Sequence, residues 1–139
     1  MFTIMKTMVL VTLLLSLSGC SDDGYIVRDS PYSFVAGYVK LDDVAATPVG
    51  GAQVSLVEYA YTTDFIPVRY RTGWSLTSCT KDTGYFSFKF DGDPRKMYDV
   101  EVAYHASQQD SYDSQNVHLG VTEYVTLFVP YFAQADLCN

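Results

Sequence analysis

One continuous stretch of the chain combines a tight turn with an alternating strand: Thr80-Lys81-Asp82-Thr83-Gly84-Tyr85-Phe86-Ser87-Phe88-Lys89-Phe90. Asp82 and Gly84 are typical of the turn, because Asp bonds to nearby backbone groups and Gly accepts a positive φ. Successive side chains of a strand point to opposite faces, so Phe86, Phe88 and Phe90 share one face. The stretch therefore predicts a β-hairpin with an aromatic side.

Short runs of the same kind continue on both sides of this stretch. They are rich in Val, Tyr, Phe and Thr and are separated by turn residues, which is the pattern of strands. No helix pattern competes with them after residue 20. An all-β fold follows, and strands spaced in this way predict a Greek-key β-sandwich of seven to eight strands. The predicted strands cover about residues 33–40, 52–59, 67–71, 74–80, 85–90, 98–104, 114–119 and 123–130.

The composition allows one such domain and narrows its partners. Of 139 residues, 48% are hydrophobic, 15% are aromatic and only 18% are charged, which suits a packed core rather than a disordered chain. The formal net charge is -7. Nucleic acids and anionic membranes bind basic faces, so the charge argues against both as partners.

Four motifs occur along the chain in a fixed order: Gly37-Tyr38-Val39, Pro48-Val49-Gly50-Gly51-Ala52-Gln53-Val54, Thr80-Lys81-Asp82-Thr83-Gly84-Tyr85-Phe86 and Tyr98-Asp99-Val100-Glu101-Val102. Together they resemble the carboxypeptidase regulatory-like family over about residues 34–129. The resemblance implies a transthyretin-like (prealbumin-like) sandwich. Domains of this family accompany peptidases or membrane receptors as folding or docking modules, which implies a non-enzymatic accessory or protein-interaction role.

The first twenty residues are typical of a secretory signal. Lys6 precedes an apolar run at residues 8–15 and a stretch of small residues. The run is about half the ~20 residues that a membrane-spanning helix needs, so we expect its removal. Leu17-Ser18-Gly19-Cys20 resembles the lipobox of bacterial lipoproteins. The resemblance implies a signal peptide at residues 1–19 and a lipid anchor, including palmitate-type chains, on Cys20; the alternative is an ordinary secretory signal with a chance cysteine.

The residues after Cys20 suggest where the protein resides. Residues 20–32 are polar and suit a flexible tether, and residues 33–139 form the predicted sandwich domain. In lipoprotein families a residue other than Asp after the cysteine permits transport to the outer membrane, and Ser21 fits that rule. Asp22 and Asp23 resemble a short surface-export signal of some Bacteroidetes-type bacteria, or they merely keep the tether extended. We therefore expect a lipoprotein anchored in the outer membrane, on its periplasmic face or on the cell surface.

The connection at residues 58–80 departs from the family pattern because it is long and aromatic. One interpretation is an extra hairpin that packs against the core. The other is a loop that presents aromatic rings to a carbohydrate or a peptide, with Tyr61, Phe65 and Trp74 as the ligand-binding residues. An envelope protein or a glycan is thus the expected partner.

The remaining cysteines suggest a cross-link. With Cys20 acylated, Cys79 and Cys138 form an even pair in an oxidising compartment, which predicts a disulfide. It would close a loop of about sixty residues. Two free thiols are the alternative, and the cysteines lack the spacing of a zinc site.

His105 and His118 invite a catalytic interpretation, because iron-dependent intradiol dioxygenases share this general sandwich. Those enzymes use a closely spaced histidine pair, which this chain lacks. It also lacks a nucleophile elbow and a glycine-rich phosphate loop. Asp91-Gly92-Asp93 fits a turn better than a calcium loop. We therefore expect loop histidines on the surface, no metal, no cofactor and no enzymatic activity.

Overall fold

A computed structural model describes residues 32–107 and 109–139. The predicted signal peptide, Cys20 and the tether up to residue 31 lie outside the described residues. Within the described ranges, no helix is long and apolar enough to cross a bilayer. Residues 32–107 and 109–139 form eight strands: β1 (Ser33–Asp42), β2 (Gln53–Tyr61), β3 (Arg69–Cys79), β4 (Tyr85–Phe90), β5 (Met97–Ala106), β6 (Gln109–Val117), β7 (Thr122–Pro130) and β8 (Gln134–Ala135).

The strands form two sheets, as the all-β sandwich prediction requires. The small sheet has the order β4-β1-β7, and the large sheet has the order β3-β2-β5-β6 with β8 paired to β5. Every pairing is antiparallel except the one between β1 and β7, which is parallel. The all-β sandwich is confirmed, and its Greek-key subtype stays a prediction.

The core lies between the sheets and follows the alternation of each strand. Phe86, Phe88 and Phe90 point inward together from β4, as predicted. Burying a side chain of this size contributes roughly 1.5–3 kcal/mol, so the inward rows are the main source of stability. The rows from the other strands that complete the core cluster include Val35, Val39, Val54, Leu56, Val100, Val102, Leu127 and Val129.

Two glycines permit close approach inside the small sheet. Gly84 has a φ of 78°, and a Cβ there would lie 2.5 Å from the carbonyl oxygen of Val39. The turn before β4 therefore needs glycine for both its conformation and its contact with β1. Gly37 on β1 lies so close to the backbone of Val125 on β7 that no side chain fits between them.

The prediction of separate strands at residues 67–71 and 74–80 is wrong, because they form the single strand β3. On β3, three residues separate Arg71 from Ser75, whereas one residue separates their partners Tyr59 and Val57 on β2. Gly73, with a φ of 94°, takes up the excess in a bulge. What resembled a turn is thus a bulge, and the connection at residues 58–80 is a hairpin that extends the large sheet.

Two further strands differ from the sequence prediction. β6 begins at Gln109 rather than near residue 114, and its polar sequence does not alternate, because it is an edge strand with most side chains exposed. β8 consists of only two residues, too few to carry a pattern. Pairing with β5 holds both strands in place.

The strands run between two ends of the sandwich. One end is called the linker end here, because the linker at residues 21–32 leads into β1 there. It carries the start of β1, the β2–β3 loop at residues 62–68 and the loops at 91–96 and 118–121. The tail end carries the loops at 43–52 and 80–84 and the C-terminal residues 131–139. The predicted disulfide between Cys79 and Cys138 is present at the tail end, with an S–S distance of 2.04 Å.

Candidate functional site

A groove with a volume of about 320 Å³ opens on the outer face of the large sheet, and we call it the sheet groove. Its side chains face outward because their neighbours in sequence face the core: Val54 and Leu56 flank Ser55, and Val100 and Val102 flank Glu101. The floor and walls include Ser55, Val57, Arg71, Glu101, Tyr112 and Asp136.

One buried carboxylate organises the groove. Glu101 on β5 is only 5% exposed. Its Oε1 accepts a hydrogen bond from the hydroxyl of Tyr59 on β2, and its Oε2 pairs with Arg71 Nη2 on β3 at 2.7 Å. A buried charge needs such partners, and charge-assisted bonds are the stronger ones. Three strands therefore fix the position of this carboxylate.

A second carboxylate repeats the arrangement two residues earlier on β5. Asp99 is also 5% exposed, and Arg69 Nη2 lies 2.6 Å from its Oδ2. Asn116 Nδ2 donates to its Oδ1 at 3.1 Å. The central carbon of the Arg69 guanidinium lies 3.8 Å from the centroid of the Tyr59 ring. The two arginine–carboxylate pairs, Arg69–Asp99 and Arg71–Glu101, flank this ring.

Burial, reinforced by the hydrogen bond to Glu101, raises the pKa of Tyr59 to about 12. Its hydroxyl therefore remains a proton donor at neutral pH. Burial alone would lower the pKa of Arg71, but the charge of Glu101 and the interactions with Tyr59 and Tyr112 together outweigh it and raise that pKa overall. Both side chains keep the protonation state that the network requires.

The C-terminal tail forms one wall of the groove. Asp136 donates its backbone N–H to Ala103 at 2.9 Å, and Gln53 donates to the carbonyl of Asp136 at 2.7 Å. His105 Nδ1 lies 2.5 Å from Asp110 Oδ1, and His105 Nε2 pairs with Asp136 Oδ1. The hydrogen bond to Asp110, followed by the charge of Asp136, raises the pKa of His105.

The mouth of the groove is left open by glycine. A Cβ at Gly73 would meet nothing within 4 Å. Ser55 and Ser75 also line the groove, as does the aromatic Tyr112. The Arg71 guanidinium lies 5.7 Å from that ring. The groove thus offers hydroxyl, guanidinium and carboxylate groups around a shallow, partly aromatic surface.

The residues predicted to bind a ligand are spread over this hairpin. Trp74 borders the sheet groove, but its ring packs inward, 5.7 Å from Tyr98 and 6.3 Å from Phe90 between centroids. Tyr61 is exposed at the end of β2, and Phe65 is fully exposed in the loop beyond it. Only Trp74 of the three borders the groove.

Sequence reasoning did not identify Arg71 or Glu101 as residues of the site. A signal for Glu101 was available, since Asp99-Val100-Glu101 places two carboxylates on the face opposite a buried valine. The sequence carries no signal that Arg71 is the partner of Glu101. The register of β3 across β2 brings the two residues together, and the sequence does not state that register.

The two histidines lie at opposite ends of the sandwich. His105 is on β5 at the tail end, a strand position rather than the predicted loop. His118 follows β6 at the linker end, where its Nδ1 lies 2.6 Å from Glu123 Oε1. His118 follows Val117, which pairs with Tyr98 on β5. His105 lies seven residues further along β5, so about 23 Å of strand, at 3.3 Å per residue, separates the two positions.

The loop after β4 carries the acidic turn Asp91-Gly92-Asp93. The carboxylate of Asp93 bonds to Arg95 in that loop rather than pointing into an open site. Within the two described ranges, no group of three or more His, Cys, Asp or Glu side chains is placed to hold a metal ion.

Comparisons with known proteins found little that resembles this chain. No family model matches it, and no curated protein matches it. Among solved structures it is similar to a 9R-lipoxygenase from Cyanothece PCC8801, with a TM-score of 0.39 and 15% identity. The alignment covers 73% of this chain and 17% of the lipoxygenase. A likeness of this size carries no argument about activity.

Proposed function

We propose that this protein is a non-enzymatic lipoprotein of the bacterial cell envelope, anchored at the outer membrane through Cys20, and that its sandwich binds a carbohydrate in the sheet groove. The anchor is supported by the lipobox-like Leu17-Ser18-Gly19-Cys20. The binding role is supported by one observation above all, the fixed network of Tyr59, Arg71 and Glu101 at an open groove.

A carbohydrate suits the groove because its hydroxyls need several donors and acceptors at fixed positions. Arg71 donates, Glu101 and Asp136 accept, and the serine hydroxyls do both. These groups are held by the protein's own contacts before a ligand arrives, which lowers the entropy lost on binding. The volume of about 320 Å³ lies near the lower end of the ~300–1,000 Å³ range of small-molecule sites, so a short glycan segment fits.

A peptide ligand is the weaker alternative for this surface. Peptides commonly add as a strand to a sheet edge, and β3 is one edge of the large sheet. The bulge at residues 72–74 interrupts that edge, and bulges hinder the pairing of a further strand. The edge therefore favours a glycan in the groove over a peptide beside it.

The anchor is tested by intact-mass analysis of membrane-extracted wild type and the Cys20→Ala variant, with protease shaving of whole cells. The proposal expects acyl mass on wild type only, because the thiol is the acyl acceptor. Shaving then separates the cell surface from the periplasmic face. A wild-type protein that is soluble and carries no acyl mass contradicts the anchor.

The groove is tested by binding to a glycan array of bacterial envelope and host oligosaccharides. Tyr112→Ala is expected to reduce binding at least tenfold, because it removes the exposed ring at the groove. Tyr124→Ala is the matched control, since Tyr124 is a still more exposed tyrosine, on the small sheet. Equal losses in both variants, or no glycan bound by wild type, would contradict the assignment.

A further inference from the structure

The tip of the β2–β3 hairpin, defined as Phe65, Ile66, Pro67 and Val68, is an exposed run of apolar residues. Phe65 is 102% exposed and Ile66 is 74% exposed, and Val68 is also exposed. Contiguous apolar residues that protrude in this way mark contacts with a protein or a membrane, whereas single exposed apolar residues are ordinary.

The tip is held out from the sandwich by the hairpin below it. The N–H of Thr62 donates to the carbonyl of Val68 at 2.9 Å, and the N–H of Val68 donates to Thr62 Oγ1 at 3.0 Å. β2 pairs with β3 as far as Tyr61, but with β5 only as far as Tyr59. The hairpin therefore extends beyond its neighbour β5.

The position of the tip relative to the anchor is the second observation. The tip lies at the linker end, where β1 begins at Ser33. Residues 21–32 join that end to Cys20, and a fully extended linker of this length spans about 40 Å at most. The disulfide and the C-terminal tail lie at the other end. An acyl anchor on Cys20 would thus bring the linker end toward the bilayer.

We propose that the β2–β3 tip inserts into the interfacial layer of the phospholipid bilayer beside the acyl anchor. This insertion rests on the proposed acylation of Cys20. Asp64 is the only charged residue in the loop at 62–68. Tyr61 and Tyr70, both exposed, flank the tip, and tyrosine favours the boundary between headgroups and acyl chains. The net charge of -7 favours zwitterionic over anionic headgroups.

Insertion of the tip would fix the orientation of the domain. Two attachments, the acyl chains and the hairpin, would then hold the linker end against the membrane. The sheet groove, on the outer face of the large sheet, then opens sideways. A glycan chain could reach it along the membrane surface.

Tryptophan fluorescence in vesicles tests the insertion. Trp74 is the only tryptophan of the chain, so Trp74→Phe provides a silent background. Phe65→Trp places a probe at the tip, and Val44→Trp places a control at the tail end, where Val44 is 110% exposed. Acylated protein in phosphatidylcholine vesicles should show at least twofold quenching by brominated phosphatidylcholine for the probe at position 65 and none for that at position 44.

Hydrogen exchange of the unaltered acylated protein in the same vesicles keeps the test independent of the substitutions. The backbone amides of residues 62–68 should exchange more slowly in the vesicles than in a soluble reference sample, which is prepared without detergent by enzymatic removal of the linker. The exchange rates of residues 43–47 should be the same in both samples. Equal quenching at both positions, or no protection at 62–68, would overturn the insertion. Protection without lipid quenching would indicate contact with a second copy of this chain, the other protein surface present in the vesicles, and would overturn the insertion too. Intact mass of the same sample reads the acylation of Cys20 separately, and a protein without acyl mass overturns both proposals.

Discussion

The outer face of the large sheet carries paired charges, whereas the outer face of the small sheet carries aromatic rings with lysines beside them. On the large sheet, Glu101 is bonded by side chains from two other strands. On the small sheet, Tyr124 is 77% exposed, and the Tyr38 ring has Lys40 Nζ 5.7 Å from its centroid. Both sheets present a similar alternation to the core, so the difference lies entirely in the outward positions.

This difference shows where specific recognition is built. Directional bonds fix the side chains of the sheet groove, so a ligand meets groups at defined positions. The small sheet relies on contacts such as the Tyr38–Tyr85 ring pair, at 5.6 Å between centroids, and on lysines over rings. Such contacts adapt easily and specify less. We therefore expect substitutions to perturb the large-sheet face much more than the small-sheet face.

The largest effect is expected from removal of the disulfide, because it ties the tail to the large sheet. The variant Cys79→Ser with Cys138→Ser opens a loop with a sequence separation of 59 residues. The free energy of unfolding should fall by about 2–4 kcal/mol, measured by urea denaturation. Binding at the sheet groove should weaken as well, since Asp136 forms one of its walls. Lost stability with unchanged groove binding would show that the wall does not contribute.

The next largest effect is expected at the buried carboxylate. Glu101→Leu leaves the Tyr59 hydroxyl and the Arg71 guanidinium without their partner. Because Arg71 is half exposed and can turn to water, we expect about 2–3 kcal/mol rather than the larger cost of a fully buried pair. Urea denaturation would measure it. Lys89→Ala on the small sheet is the control and should change stability by under about 0.5 kcal/mol. Equal changes would erase the proposed difference between the faces.

The strands of the small sheet were the most predictable part of the fold. β4 was predicted with its observed bounds, because Gly84 indicates the turn and the alternating phenylalanines indicate which face of the strand is buried. β3 and β6 were less predictable, since edge strands bury little and their sequences need not alternate. Gly73 resembles a turn residue, and only the pairing of β3 with β2 shows that it is a bulge.

The candidate site was less predictable than the fold. The alternation places Asp99 and Glu101 on one face, but their arginine partners come from β3, a strand that is not adjacent to β5. The reach of an arginine across Tyr59 depends on register, which the sequence does not state. Phe65, which the sequence predicts to bind a ligand, lies at the hairpin tip instead.

A smaller effect is expected from one hydroxyl group. Tyr59→Phe keeps the ring beneath Arg69 and removes only the hydrogen bond to Glu101. The free energy of unfolding should fall by about 1 kcal/mol, and Tyr38→Phe on the small sheet should have almost no effect. Thermal unfolding of both variants would compare them directly. A larger loss of stability in Tyr38→Phe than in Tyr59→Phe would contradict the assignment of the directional bonds to the large sheet.

The smallest effect is expected from the titration of His105, which joins the tail wall of the groove to the β5–β6 hairpin. Its pKa in the folded protein is raised by Asp110 and Asp136 above the ordinary value of 6.5. The stabilisation is therefore fully present below about pH 6.5 and is lost as pH rises through the folded pKa. NMR titration of the imidazole measures this directly. Asp136→Asn should lower the pKa of His105, whereas Glu123→Gln should leave it unchanged, because Glu123 pairs with His118 at the opposite end. If the pKa of His105 does not move in Asp136→Asn, Asp136 does not hold the tail through this histidine, and the wall of the groove depends on the backbone bonds and the disulfide alone.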